Sequence, residues 1–432
     1  MWIKRNFPIT YLFYCAIVSF YLVAIISNYN YFDIYLLFFI LSFYYIGYVI
    51  LKDTIYDSLI TIRVVFNVFG FLYTNFYIID CIEKGVPISE NIYISMNLSY
   101  LAILCFNTSY SLVKQKGKGK VQITKIDLNT FNWGLFIFLI VSIGAYYYVT
   151  IYKIGLAVYF FASRAEKSLL TSDYSILQFY PYTLPLISTI SLYLYLSYKN
   201  KVSYSIFIIA LFLSLTNAVI TGSRGEMLII AFPIIYLLRL FNVISAKFTI
   251  LICIGGFVLF GIWKSLYTDN IEVQYDSEFV SWYRICDTIL SDSSGFEYLF
   301  GKSYFQTLIN LVIPVTNMES LSTWYVRKYE NAVFLAGGGR GFPSVFEAYM
   351  NFHVLGVVLV YSFYGCLAKK INRSSELGLL IYIIVLISLY KLFRSPAYSF
   401  WKNMMWFEIY PTLFIYKFSQ IKSGRRLRKI QK

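Results

Sequence analysis

Along most of this chain apolar residues come neither in alternation nor at helical spacing on one face, but in long unbroken blocks with short polar joints. A block of about 20 apolar residues, wound as an α-helix, crosses the roughly 30 Å hydrocarbon core of a bilayer. Blocks of that kind predict spans at 9–26, 31–51, 59–79, 92–113, 131–151, 176–198, 205–220, 228–240, 248–263, 345–367, 377–392 and 400–418. The eighth is short and can borrow the 222–227 turn if that turn is helical. The first has no small-residue cleavage site behind it and is expected to be a retained helix. Arg63 falls near the inner end of the third span, and snorkelling to the headgroups is the expected behaviour. The pattern therefore predicts an all-α polytopic membrane protein of about twelve transmembrane helices, one integral domain over 1–432.

One joint is unlike the others. Residues 264–344 form a stretch of roughly 80 residues between the ninth and tenth spans, where loops usually run to a few residues and long ones are usually functional. It ends in Leu335-Ala-Gly-Gly-Gly-Arg-Gly-Phe-Pro-Ser344, and the next span opens at once with Glu347, Asn351 and His353. Glu347 and Asn351 are four residues apart and share a helix face. His353 lies roughly 120° round the helix from Glu347.

Composition agrees with a lipid solvent. Of 432 residues, 59% are hydrophobic, 21% aromatic and 14% charged, against about 25% charged in soluble domains. A net charge of +15 would suggest nucleic acid in a soluble protein, but its placement argues against that partner. The basic runs are Lys114-Gln-Lys-Gly-Lys-Gly-Lys120, the joints at 199–201 and 369–373, and the tail 422–432. By the positive-inside rule they put both termini in the cytoplasm and the 264–344 loop outside, with anionic lipid headgroups as the partners of the basic ends.

With that orientation, Arg164, Arg224, Arg284, Arg340 and Arg394 all fall on the outer side, where charge bias predicts few. Arginine offers a planar, permanently charged fork suited to phosphate. Arg224 and Arg340 sit in glycine-flanked turns, where backbone N–H groups can approach an anion. The competing expectation is local pairing, Arg224 with Glu226 and Arg284 with Asp287. Glu347 could hold an arginine or act as a base toward a sugar hydroxyl. His353 alone is more often a packing residue than a catalyst. Aromatic residues of the loop, Tyr298, Trp324, Tyr325 and Tyr329 among them, could stack on sugar rings.

Other chemistry is excluded. Gly295–Ser303 has five residues between its glycines where a phosphate-binding loop needs four. Gly337-Gly-Gly-Arg-Gly341 follows no strand, so it is no dinucleotide fingerprint. There is a single histidine and no Asp-x-Asp pair, so no metal or cofactor is expected. Six cysteines include no C-x-x-C pair; Cys81 and Cys286 both fall outside and are the one candidate disulfide.

Together, Thr221-Gly-Ser-Arg-Gly-Glu-Met227, Arg164 in the preceding outer loop, and Gly339-Arg-Gly-Phe-Pro-Ser-Val-Phe-Glu-Ala-Tyr-Met-Asn-Phe352 resemble the O-antigen polymerases (Wzy-type) of bacterial surface polysaccharide pathways. Two departures stand out: Val315 follows Pro314 where the family often has arginine, and His353 follows Asn-Phe where a glycine is common. The resemblance implies a metal-independent glycosyltransferase of the cytoplasmic (inner) membrane, with its site facing the periplasm or cell exterior. It would move a growing glycan from undecaprenyl pyrophosphate onto the non-reducing end of an incoming lipid-linked repeat unit. Arg224, Arg340 and Glu347 would be the catalytic residues; Arg164, Arg284, Arg394, Asn351 and His353 would bind substrate. A chain-length regulator and a flippase are implied partners. An O-antigen ligase shares the architecture and is the nearest enzymatic rival; a flippase-type transporter is the rival from another class.

Overall fold

The computed structural model describes residues 45, 49, 61–84, 89–114, 126–155, 158–159, 179–221, 224–245, 247–249, 251–252, 255–256, 276–292, 298–313, 319–335, 340–371 and 375–430. The expected spans 9–26 and 31–51, most of 248–263, and Arg164 lie outside the described residues, apart from Tyr45 and Val49 of the second span.

Helices fill the remaining apolar blocks. They are α1 (Ile62–Lys84), α2 (Glu90–Leu112), α3 (Leu128–Tyr147), α4 (Phe179–Tyr198), α5 (Lys201–Thr221) and α6 (Arg224–Leu240). A π-helical stretch, Tyr148–Ile154, prolongs α3. The loop region contributes α7 (Asp276–Ser291), α8 (Lys302–Val312), α9 (Leu321–Tyr329) and α10 (Asn331–Leu335). Beyond it come α11 (Ser344–Lys370), α12 (Glu376–Leu392), α13 (Ala397–Asn403), a π segment Met404–Ile409, and α14 (Tyr410–Ile430). The eighth expected span does borrow its turn, since α6 begins at Arg224. Among the described residues, three helices are long and apolar enough to cross a membrane by themselves: Leu128–Ile154, Lys201–Ile220 and Ser344–Lys370.

The exposed surface explains why such a chain holds together in lipid. Trp133, Ile137, Phe212, Leu251, Leu359 and Phe363 all face outward, while Asn67, Thr74, Ser95, Asn107, Thr183, Ser188 and Ser191 are buried. With no hydrophobic drive between helices in a bilayer, close packing and interhelical hydrogen bonds must hold them. Ser142 Oγ and Thr183 Oγ1 share a hydrogen bond at 2.7 Å between α3 and α4. Ser203 Oγ donates to Asn132 Oδ1 at 2.9 Å between α5 and α3. At the C-terminal end of α4, Tyr193 and Tyr198 hydroxyls both donate to Glu376 Oε1 on α12.

Two expectations need correction. Arg63 does not snorkel: it is buried, and its Nε donates to Asn107 Oδ1 at 3.1 Å. Its Nη2 donates to the Tyr45 hydroxyl at 3.4 Å, and Asn67 and Asn107 exchange further hydrogen bonds beside it, so the charge has partners inside the protein. The tenth span is also not one straight helix. Inside α11, Phe352 (φ −144°, ψ 30°) and His353 (φ 56°, ψ −152°) leave helical geometry. The chain turns so sharply there that a Cβ on Gly356 would collide with the Ala348 carbonyl oxygen. Residues 344–351 thus form a short helix laid against the start of 354–370. The latter half packs on α2 so closely that Gly365 lies against the Phe106 carbonyl, where no side chain fits.

Candidate functional site

Glu347 sits on the short first half of α11 and is completely buried. Its Oε2 accepts from the backbone N–H of Ala397 at 2.6 Å. Ala397 opens α13 directly after Pro396, so the carboxylate meets the positive end of a helix. Asn351, one turn on, donates through Nδ2 to Ser303 Oγ at 2.8 Å and to the Glu347 carbonyl at 2.8 Å. The Ser303 hydroxyl can turn toward the carboxyl. Glu347 Oε1 and Asn351 Oδ1 remain without a hydrogen-bond partner. Buried acceptors left like this are satisfied by a proton, a water or a ligand hydroxyl.

The turn that Glu347 caps is held on two other sides. Trp282 of α7 donates its indole N–H to the Phe393 carbonyl at 3.0 Å. Phe342 N–H donates to the Arg394 carbonyl at 2.9 Å. A Cβ on Gly341 would stand 2.7 Å from that same carbonyl oxygen, so only glycine lets the two backbones meet. Residues 341–342 are thereby docked on the Phe393-Arg-Ser-Pro396 turn, and Arg340 and Arg394 are carried on touching segments.

Arg340 is exposed, and its Nε donates to Glu330 Oε2 at 2.7 Å. It does not pair with Glu347. Arg394 is half-buried. Arg284 is exposed on the outer face of α7, opposite the buried Tyr283, Ile285 and Cys286. Its expected pairing with Asp287 does not form; Asp287 accepts from Ser89 Oγ at 2.8 Å. Arg224 marks the first turn of α6. Glu226 in that turn accepts from Asn217 Nδ2 at 2.6 Å. His353 is exposed at the kink, its ring stacked on Tyr298 (4.4 Å between centroids) and edge-on to Tyr349 (5.0 Å). It is therefore apart from the buried Glu347–Asn351 pair. Cys286 is a free, buried thiol, so the Cys81–Cys286 disulfide is not formed. Among the described residues there is no group of three or more His, Cys, Asp or Glu side chains able to hold a metal.

Sequence reasoning missed Lys391 and Glu408. Lys391, in the last turn of α12, lies within electrostatic reach of Glu408, Glu226 and Arg394. Glu408 is buried in the π segment and accepts from Ser388 Oγ at 2.7 Å. Charged residues inside apolar spans are rare and mark functional paths, and that signal was available at both positions. Helix α12, which carries Lys391, packs against α6.

The helical fold with its apolar exterior and buried polar centre is that of an all-α membrane protein. Residues 262–426 match the family model of the O-antigen polysaccharide polymerase Wzy. The match supports the Wzy-type resemblance and a repeat-unit polymerase role in general. No curated protein and no solved structure matches the chain.

Proposed function

We propose that the chain polymerises lipid-linked oligosaccharide repeat units at the outer face of a bacterial cytoplasmic membrane. The growing glycan leaves undecaprenyl pyrophosphate and joins the non-reducing end of an incoming lipid-linked unit. The observation that carries this reading is the extent of the family match. It encloses Arg284, Arg340, Glu347, Asn351, His353 and Arg394 together with the contacts that bring the Arg340 and Arg394 turns together.

In this transfer an acceptor hydroxyl oxygen bonds to the anomeric carbon as the bond from that carbon to the phosphate oxygen breaks; the bonding pair leaves with undecaprenyl pyrophosphate, and the hydroxyl proton passes to the departing phosphate or to water. Arginine forks near the leaving group stabilise that charge. Arg340 and Arg394 are the main candidates, with Arg224 and Arg164 contributing from the preceding segments, Arg284 from α7, and no metal. Burial of Glu347 and its hydrogen bond to Ala397 support a positioning role, holding the Arg394 turn, over that of a base exposed to a sugar hydroxyl. Asn351 Oδ1 is the buried acceptor available to a substrate hydroxyl, and the Tyr298–His353 stack is a candidate surface for a sugar ring.

Deleting the protein should leave single repeat units on their carrier or on the final acceptor, with long chains missing. Full-length polymer accumulating on its lipid carrier would instead indicate a ligase. Unpolymerised units held on the cytoplasmic leaflet would indicate a flippase. The outward orientation is tested with an impermeant thiol reagent in intact cells. Cysteines introduced at exposed loop positions such as Arg327 should label, and one at Lys118 should not.

A further inference from the structure

Helix α8 is inside out. Ser303, Thr307 and Asn310, spaced i, i+4 and i+7, are buried at 5%, 5% and 0% exposure. Phe305, Leu308 and Val312, spaced i, i+3 and i+7 on another face, are exposed at 66%, 61% and 74%. Phe300 and Ile313 at the two ends are exposed as well. A helix solvated by water turns its apolar stripe inward; a helix solvated by lipid has no reason to, and gains by satisfying its polar groups internally.

Its contacts set its depth. The N-terminal end lies beside α11, where Asn351 donates to Ser303 and Leu299 N–H donates to the Met350 carbonyl at 2.9 Å. The kink at residues 352–353 leaves that carbonyl free to accept from the loop. The C-terminal end lies along the last helical run. Trp406 Nε1 donates to the Asn310 carbonyl at 2.8 Å, and the Tyr410 hydroxyl donates to the Leu311 carbonyl at 2.7 Å. These are last-turn carbonyls, which have no partner within their own helix. Trp406 and Tyr410 stand nine and thirteen residues beyond Ala397, roughly 14 and 20 Å along the helix at about 1.5 Å per residue. Helix α8 therefore runs alongside the final span for much of half a bilayer.

The segments that flank this excursion meet. Asp292, ahead of α8, is tied to α9, which follows it, with Lys328 Nζ 3.3 Å from Asp292 and the Tyr329 hydroxyl donating to Asp292 at 2.9 Å. The exposed apolar face of α8 also continues onto α11. Phe352 packs against Gly301, and Val354, Leu355, Leu359 and Phe363 are exposed below it.

We propose that α8 is a re-entrant helix embedded in the leaflet on the loop side, with its apolar face against bilayer hydrocarbon. Residues 264–344 are thus not wholly a soluble-facing loop: one helix of it forms part of the membrane wall. Its buried polar edge, Ser303 above all, lines the centre that contains Glu347 and Asn351.

The test is lipid contact by the full-length protein in phospholipid nanodiscs. A diazirine amino acid is placed singly at Leu308 or Val312, with Leu359 as the lipid-facing reference and Arg327 as the water-facing one. After illumination, positions 308 and 312 should form phospholipid adducts in yield comparable to 359. Water adducts at the level of 327 would overturn the proposal, as would crosslinks to a second copy. A variant that does not fold is recognised by loss of the adduct at Leu359 when both positions carry the probe. The result depends on membrane insertion alone and stands or falls separately from the polymerase reading.

Discussion

Glu347 Oε2 and the backbone N–H of Ala397 are 2.6 Å apart, a contact across fifty residues of sequence that fixes the turn carrying Arg394. If this is the role of the carboxylate, Glu347→Gln keeps an acceptor at the same place and should retain the fold and part of the activity. Glu347→Ala leaves the Ala397 N–H unpaired and should cost about 1–3 kcal/mol of stability along with polymer synthesis. Chain-length distribution on a gel, normalised to membrane protein, and thermal unfolding in detergent check both. A Glu347→Gln protein of normal stability with no polymer would restore the general-base role.

Arg340 uses Nε on Glu330 and is exposed, so its two terminal nitrogens are presented to the outside. Arg340→Ala should abolish nearly all chain growth, because losing one charge-assisted contact to a developing anion costs about 3 kcal/mol, around a hundredfold in rate. Arg340→Lys keeps the charge without the fork and should lose much of the activity. Glu330→Gln breaks only a surface ion pair, worth about 0–1 kcal/mol, and should have a far smaller effect. Wild-type chain lengths from Arg340→Ala would sink the arginine clamp.

How much of this was legible beforehand differs by level. Among the described residues the apolar blocks fall on helices, because in lipid every backbone polar group must be satisfied within the segment, although the last helix runs on to Ile430, well past the expected end at 418. The sequence pointed to a group of arginines with Glu347, and the structure brings the Arg340 and Arg394 segments and Glu347 together. Their connections were not legible. Nothing local to Phe352 and His353, neither proline nor glycine, announces a break; it comes from packing of Gly356 on Ala348. The Glu347–Ala397 and Trp282–Phe393 contacts join segments far apart in the chain. The α8 pattern was visible as amphipathicity, but not which stripe faced inward. Arg63 misled because snorkelling assumes no closer partner, and Asn107 and Tyr45 provide one.

Cys286 is buried in α7, and that burial pushes its thiol well above the usual range. The thiolate is the reactive form, so Cys286 should resist alkylation by iodoacetamide at pH 8 in the folded protein and react fully after denaturation. Peptide mass mapping distinguishes the two. Rapid modification of the native protein would contradict the packing of α7 against α1 and α2.

His353 has backbone angles, φ 56° and ψ −152°, in a region that is essentially reserved for glycine and costs other residues about 1–3 kcal/mol. Its side chain stacks on Tyr298 and meets Tyr349, which offsets part of that strain. The two contributions separate by substitution. His353→Ala loses the stacking and keeps the strain, so it should be the least stable form. His353→Gly loses the stacking but relieves the strain, and should unfold at a temperature above that of the alanine variant and near the parent. If the imidazole does no more than pack, His353→Gly should also polymerise normally. If it contacts the sugar, both variants should need more lipid-linked substrate to reach the parent's chain length, with Tyr298→Ala behaving alike. Equal stability of the alanine and glycine variants would mean that the α11 kink at this position is relaxed, and that the reversal at Gly356 is held by other contacts.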